Sequence, residues 1–69
     1  MELILVKSDN IHAVGYNPEE QILRILFKTG ITYDYLNVPK AIYSALLAST
    51  SKGQFFHKHI KPRYKAIRL

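Results

Sequence analysis

The second half of this 69-residue chain sets cations and rings side by side. Lys52, Lys58, Lys61, Arg63, Lys65 and Arg68 are interleaved with Phe55, His57, His59 and Tyr64. Lysine and arginine neutralise phosphates and supply most non-specific affinity for nucleic acid, and aromatic rings add base stacking. Lys52, Lys58, Lys61, Arg63 and Lys65 are therefore the candidate nucleic-acid contacts. Lys58, Lys61 and Arg63 also fall near a predicted helix end, where cations complement the dipole, a purely structural use.

Thr50-Ser51-Lys52-Gly53 is a second candidate. The first N–H groups of a helix lack internal partners and carry about half a positive charge, so Ser51, Lys52 and Gly53 form a candidate anion site at a helix start. The alternative is an ordinary capped helix with a glycine where two helices pack closely.

Other groups promise less. His57-x-His59 lacks a third ligand nearby, and i and i+2 diverge on a helix, so no metal is expected and His59 is assigned a structural hydrogen bond. Asp9, Glu19, Glu20 and Asp34 form no paired carboxylate site, and Ser8, Ser44, Ser49 and Ser51 lack a base. A chain this small is not expected to open a pocket of about 300 Å³ without breaching its core. An enzyme, a cofactor and a small-molecule substrate are accordingly not expected.

Length and charge set the frame for these residues. One domain of this size buries about 60% of its unfolded surface, so stability is thin. The absence of cysteine excludes disulfides and thiolate zinc sites, and leaves the core to an apolar fraction of 48%. Residues 1–34 hold three Lys and Arg against five Asp and Glu; residues 35–69 hold seven cations and no acid. Such asymmetry suggests a basic face that attracts a polyanion, or else a surface that only confers solubility. The longest early apolar run, Leu3–Val6, is too short for a signal or a span. The expected location is cytoplasmic, with no membrane partner.

Alternation and turn residues place the strands. Leu3–Lys7 reads as a short strand, followed by a polar turn at Ser8-Asp9-Asn10. Ile11–Tyr16 reads as a second, with Ile11 and Ala13 on one face and His12, Val14 and Tyr16 on the other. Gly15 marks a bulge or a close backbone approach. Asn17-Pro18-Glu19-Glu20 is a turn. Gln21–Lys28 is the clearest strand, with Leu23, Ile25 and Phe27 on one face. A two-residue turn into Ile31–Leu36 would set Asp34 against Ile25 on the core face. A three-residue turn, Lys28-Thr29-Gly30 with Gly30 left-handed, sets Phe27 against Ile31, Ile25 against Tyr33 and Leu23 against Tyr35, and lets Arg24 meet Asp34. The second register satisfies every position. Tyr33 and Tyr35 then lie on the apolar face, as core with hydroxyls at the rim rather than as base-stacking rings.

Two helices follow. Pro39 suits a first turn, and Val38, Ile42, Ala45, Leu46 and Ser49 make one small and apolar stripe. Thr50 or Ser51 caps a second helix from about Lys52 to Ile60, in which Phe56 stacks on Ile60 and Phe55 on His59. Pro62 ends it. Residues 64–69 are either an edge strand or a basic tail. Strands followed by helices predict an α+β fold: an antiparallel meander of three to four strands covered on one face by two α-helices.

In this order, Tyr33-x-Tyr35, Val38-Pro39, Tyr43 with Leu46, Ser51-x-Gly53, Phe55-Phe56 and Ile60 with Tyr64 resemble the KTSC domain family. The resemblance runs from about Val6 to Tyr64 and includes Val6-x-Ser8 and Ile11-x-x-Val14-Gly15-Tyr16. His57 departs from it, since members commonly carry Asn there, and Pro62 is unusual. The family takes its name from a short domain at the C-terminus of some lysyl-tRNA synthetases, and also occurs as free-standing bacterial and phage proteins. The resemblance points toward RNA without naming a ligand, and brings no catalytic residue with it.

The chain is thus expected to be a single non-catalytic module over residues 1–69 that clamps RNA through its basic half. The alternative is a protein–protein module that dimerises or docks through Ile22, Leu26 and Leu36 on the second sheet face.

Overall fold

The computed structural model describes residues 1–69. Five antiparallel strands lie in chain order: β1 (Ile4–Leu5), β2 (Ile11–Asn17), β3 (Ile22–Phe27), β4 (Thr32–Tyr35) and β5 (Ala66–Arg68). Between β4 and β5 the chain crosses one sheet face as α1 (Lys40–Ala48), the single turn α2 (Lys52–Phe55) and a π-helical turn over Phe56–Ile60. The fold is α+β, with one strand more than the three to four expected. The C-terminal segment is the edge strand rather than a tail, paired to β4 through Ala66–Tyr35, Ile67–Asp34 and Arg68–Tyr33.

The β3–β4 hairpin adopts the three-residue turn. Gly30 sits at φ +93°, its N–H donates to the Phe27 carbonyl at 2.9 Å, and the Phe27 N–H donates to Ile31 at 2.9 Å. Leu23 then faces Tyr35, Arg24 faces Asp34 and Ile25 faces Tyr33. Leu23 and Ile25 are fully buried among Ile11, Val14, Tyr35, Val38, Leu46, Phe56 and Ile60.

The faces of β2 differ from the simple alternation. Ile11 pairs with Phe27 and Ala13 with Leu26, so His12 is an extra residue in a bulge. A bulge turns the residues beyond it over by one position. Ile11, Val14 and Tyr16 therefore all look toward the helices, and Ala13 looks away. Gly15 is not the bulge but the close approach: a Cβ there would lie 2.8 Å from both the Glu2 carbonyl oxygen and a Leu3 methyl. Residues 1–3 thus fold over part of the open face.

Pro39 caps α1 from outside with extended ψ, and Lys40 is the first helical residue. The buried side of α1 centres on Leu46, with Ile42, Tyr43 and Leu47 half-buried and Ala45 exposed. Tyr43 stacks on Tyr16 at 5.0 Å, and the Tyr16 hydroxyl donates to the Val38 carbonyl at 2.6 Å. The expected helix over 52–60 divides at Phe56. Pro62 has no N–H for the Lys58 carbonyl and its ring crowds that group. The Lys61 N–H instead reaches back five residues to Phe56 at 2.9 Å, the spacing of a π turn. Phe56 and Ile60 still drive into the core together.

Candidate nucleic-acid interface

A polar cleft of about 830 Å³ opens where the β1–β2 link meets the β3–β4 turn and the start of α2. Lys7, Lys28 and Lys52 line it with His57, opposed by one carboxylate, Asp9. Its walls hold no hydrophobic side chain.

Local bonding fixes these walls. The Ser8 hydroxyl accepts from the Ile11 N–H and donates to Asn10 Oδ1, both at 3.3 Å. The Lys28 N–H donates to the Asn10 carbonyl at 2.9 Å, which brings the two turns together. Asn10 also fills the space beside Gly53, where a Cβ would meet its Oδ1 at 2.8 Å. The missing Cβ therefore serves contact between α2 and a strand link rather than between two helices.

Ser51 caps α2 by accepting from the Gln54 N–H at 3.4 Å. The right-handed helical backbone runs on from Phe55 through Phe56 to Lys61, so the peptide alignment of α2 continues into the π turn. Lys52 adds its charge at this helix start, and Lys7 and Lys28 line the same cleft. Lys52 has a tether of its own, donating from Nζ to the Ser49 carbonyl at 2.9 Å.

The remaining late cations spread along the neighbouring surface. Lys58 lines a shallower concavity with His57, His59, Thr50 and Ser51. Lys61 lines a third, beside Phe27, Tyr33, Tyr35 and Phe56. His57 is common to the cleft and to both of these. Arg63 and Lys65 are exposed beyond the π turn and line none of them, and the Lys65 carbonyl accepts from the Leu36 N–H at 2.9 Å. The one ion pair within 4.0 Å joins Arg24 to Asp34, so no cation after residue 34 is paired with a carboxylate at that distance. The expectation that concavities of this size would breach the core is overturned: two form around surface loops and the start of α2, and the third lies open over rings at the edge of the core.

His59 packs its ring 4.8 Å from Phe55 instead of making the expected hydrogen bond. Tyr35 is core, and burial, with a smaller contribution from Tyr33, pushes its hydroxyl pKa up to about 12. Burial also raises Tyr43. Tyr33 is only half-buried, its ring 6.2 Å from Tyr35. Lys7, Lys28 and Asn10 escaped the sequence reading. They lie in the half whose charge is net acidic, and only pairing of the strands carries them to the basic half.

The chain resembles whole proteins and parts of larger ones. A protein of Tsukamurella paurometabola is 45% identical over 64 residues, covering 93% of this chain and 96% of that one. A Stutzerimonas stutzeri protein is 36% identical over 64 residues, with 93% and 90% covered. A lysine–tRNA ligase of a Nostoc species is 42% identical over 59 residues, or 86% of this chain but only 10% of the ligase. The crystal structure of a KTSC domain protein from Yersinia pestis superposes with a TM-score of 0.93 at 33% identity, covering 99% of this chain and 96% of that one. The family model of the KTSC domain matches residues 7–64, and with the shared architecture this makes the chain a member of the KTSC domain family.

Proposed function

We propose that this KTSC domain is a non-catalytic module that holds RNA through phosphate contacts from Lys7, Lys28, Lys52, Lys58 and Lys61, with Arg63 and Lys65 extending the positive surface. The observation that carries this reading is a run of three adjoining concavities that share His57, each bearing at least one lysine with no carboxylate within 4.0 Å, and with Asp9 as the one acid among their lining residues. Such a surface concentrates polyanions and releases their counterions on contact. Kinship with a segment of lysine–tRNA ligases, enzymes named for a tRNA substrate, favours RNA among polyanions. Titration of RNA by gel shift at 50 and 200 mM salt tests it: affinity falls steeply between the two. Absent or salt-indifferent binding defeats it.

A second reading has its own observation. Leu5, Ile67 and Leu69 are 76%, 47% and 60% exposed, and Leu5 and Ile67 sit on the sheet face the helices leave open. Ile22, Leu26 and Leu36 are half-buried there. A protein partner on this face would survive nuclease treatment of a pull-down, and self-association would register in light scattering.

A further inference from the structure

Beside the polar cleft a groove of about 460 Å³ runs along the helix side of β3 and β4. Its floor is aromatic. Phe56 meets Phe27 and Tyr35 edge-to-face, each at 5.4 Å, and Phe27 meets Tyr33 edge-to-face at 6.1 Å. Interlocked rings in these geometries form a firm surface. Phe27 and Tyr33 are only half-buried, so part of that surface is open.

Charge distinguishes this groove from a merely greasy one. Lys61 stands on its wall, and Arg68 is the cross-strand neighbour of Tyr33. Asn10 and His57 line both the groove and the lysine-bearing cleft, so the two concavities share a wall. An apolar, aromatic slot adjoining a cationic, wholly polar one matches the two halves of a nucleotide, a planar base and an anionic phosphate. A base held in a duplex cannot enter such a slot, whereas an unpaired one can turn outward and pack on aromatic rings.

We propose that this groove receives one unpaired base of single-stranded RNA, packed against Tyr33 and Phe27, while the adjoining phosphate lies in the cleft of Lys7, Lys28 and Lys52. The proposal rests on the RNA reading above and adds to it a base subsite and a requirement for single strands. His57, on the shared wall, lies between base and phosphate.

Three probes of equal length test it: an oligoadenylate, a ribose-phosphate oligomer without bases, and an RNA duplex. The expected result is that the oligoadenylate binds roughly tenfold to a hundredfold more tightly than the abasic strand. It also outcompetes the duplex and shifts the ring-proton resonances of Tyr33 and Phe27. Tyr33→Leu removes the preference for bases and leaves abasic binding intact, while Tyr33→Phe retains it. The comparison on the unaltered protein needs no variant, so a folding defect in Tyr33→Leu leaves the test standing. Equal binding of the base-bearing and abasic strands overturns the base subsite and spares the phosphate reading. Equal binding of single strand and duplex overturns the requirement for single strands. Binding of none of the three at low salt overturns both proposals and leaves the protein-partner reading.

Discussion

Asp34 accepts two charge-assisted hydrogen bonds from Arg24, one from Nε at 2.7 Å and one from Nη2 at 2.9 Å, on the sheet face turned away from the helices. Asp34 is only 7% exposed, shielded by β3 and β5 on either side, while the Arg24 side chain is one-third open. The hydrogen bond to Asp34 is the main reason the Arg24 pKa rises further, against the opposing effect of its own desolvation. The pair is thus a pin across two central strands, with the carboxylate as its costly half.

That asymmetry gives a double-mutant cycle a definite sign. Arg24→Ala strands a nearly buried carboxylate and is expected to cost about 1–3 kcal/mol. Asp34→Ala frees a guanidinium that can reach water and costs less. The double variant is expected to lose less than the two singles together, by about 1 kcal/mol or more, in urea unfolding. Strict additivity would mean that the two groups do not support each other.

Gly30 offers a test of register. Its φ of +93° is reached readily only by glycine, and open space surrounds it, so Gly30→Ala changes backbone strain and nothing else. The expected loss is about 1–2 kcal/mol. Stability unchanged within error would argue for a different turn and, through it, for a different set of residues facing the helices.

Tyrosine ionisation should register in alkaline stability. Tyr35 titrates near pH 12 when folded and near pH 10 when unfolded. Its contribution is fully present below about pH 10, where both states hold the proton. It falls as pH rises from there, since the unfolded chain loses its proton first, and it is gone above about pH 12. Tyr43, raised by the same cause, acts in the same direction. Urea midpoints should decline across this window, and Tyr35→Phe should flatten the decline. The chain has no Trp, so absorbance at alkaline pH follows its five tyrosines directly. All five titrating together near pH 10 would contradict the burial of these two rings.

These tests fall on features that differ in how openly the sequence displays them. The β3–β4 register was legible because one wrong step would have set Asp34 against Ile25, and Gly30 stood where a left-handed residue was needed. Phe56 and Ile60 were legible as a buried pair. The bulge at His12 was not, because the partner strand decides which residue is left over. The π turn was hidden for a similar reason, since Pro62 acts on a carbonyl four residues earlier. The late cations could be read as a block, but the cleft could not: Lys7 and Lys28 reach Lys52 only through strand pairing and the Asn10–Gly53 contact.

The mixed origin of the cleft separates two kinds of lysine. Lys52 donates to the Ser49 carbonyl at the end of α1, so it holds structure as well as charge. Lys52→Ala is expected to lower stability by about 0.5–1.5 kcal/mol and RNA affinity as well. Lys7 and Lys28 make no side-chain hydrogen bond or ion pair within the protein, their side chains are exposed, and both line the same cleft. Lys7→Ala and Lys28→Ala should leave stability within about 0.5 kcal/mol. Each should still lower the slope of log affinity against log salt by about 0.7, the value for one lost contact to a single strand. If only the late lysines moved that slope, affinity would follow the chain's charge asymmetry rather than the cleft. Phosphate would then lie along the π turn, and the shared wall at Asn10 and His57 would have no part in binding.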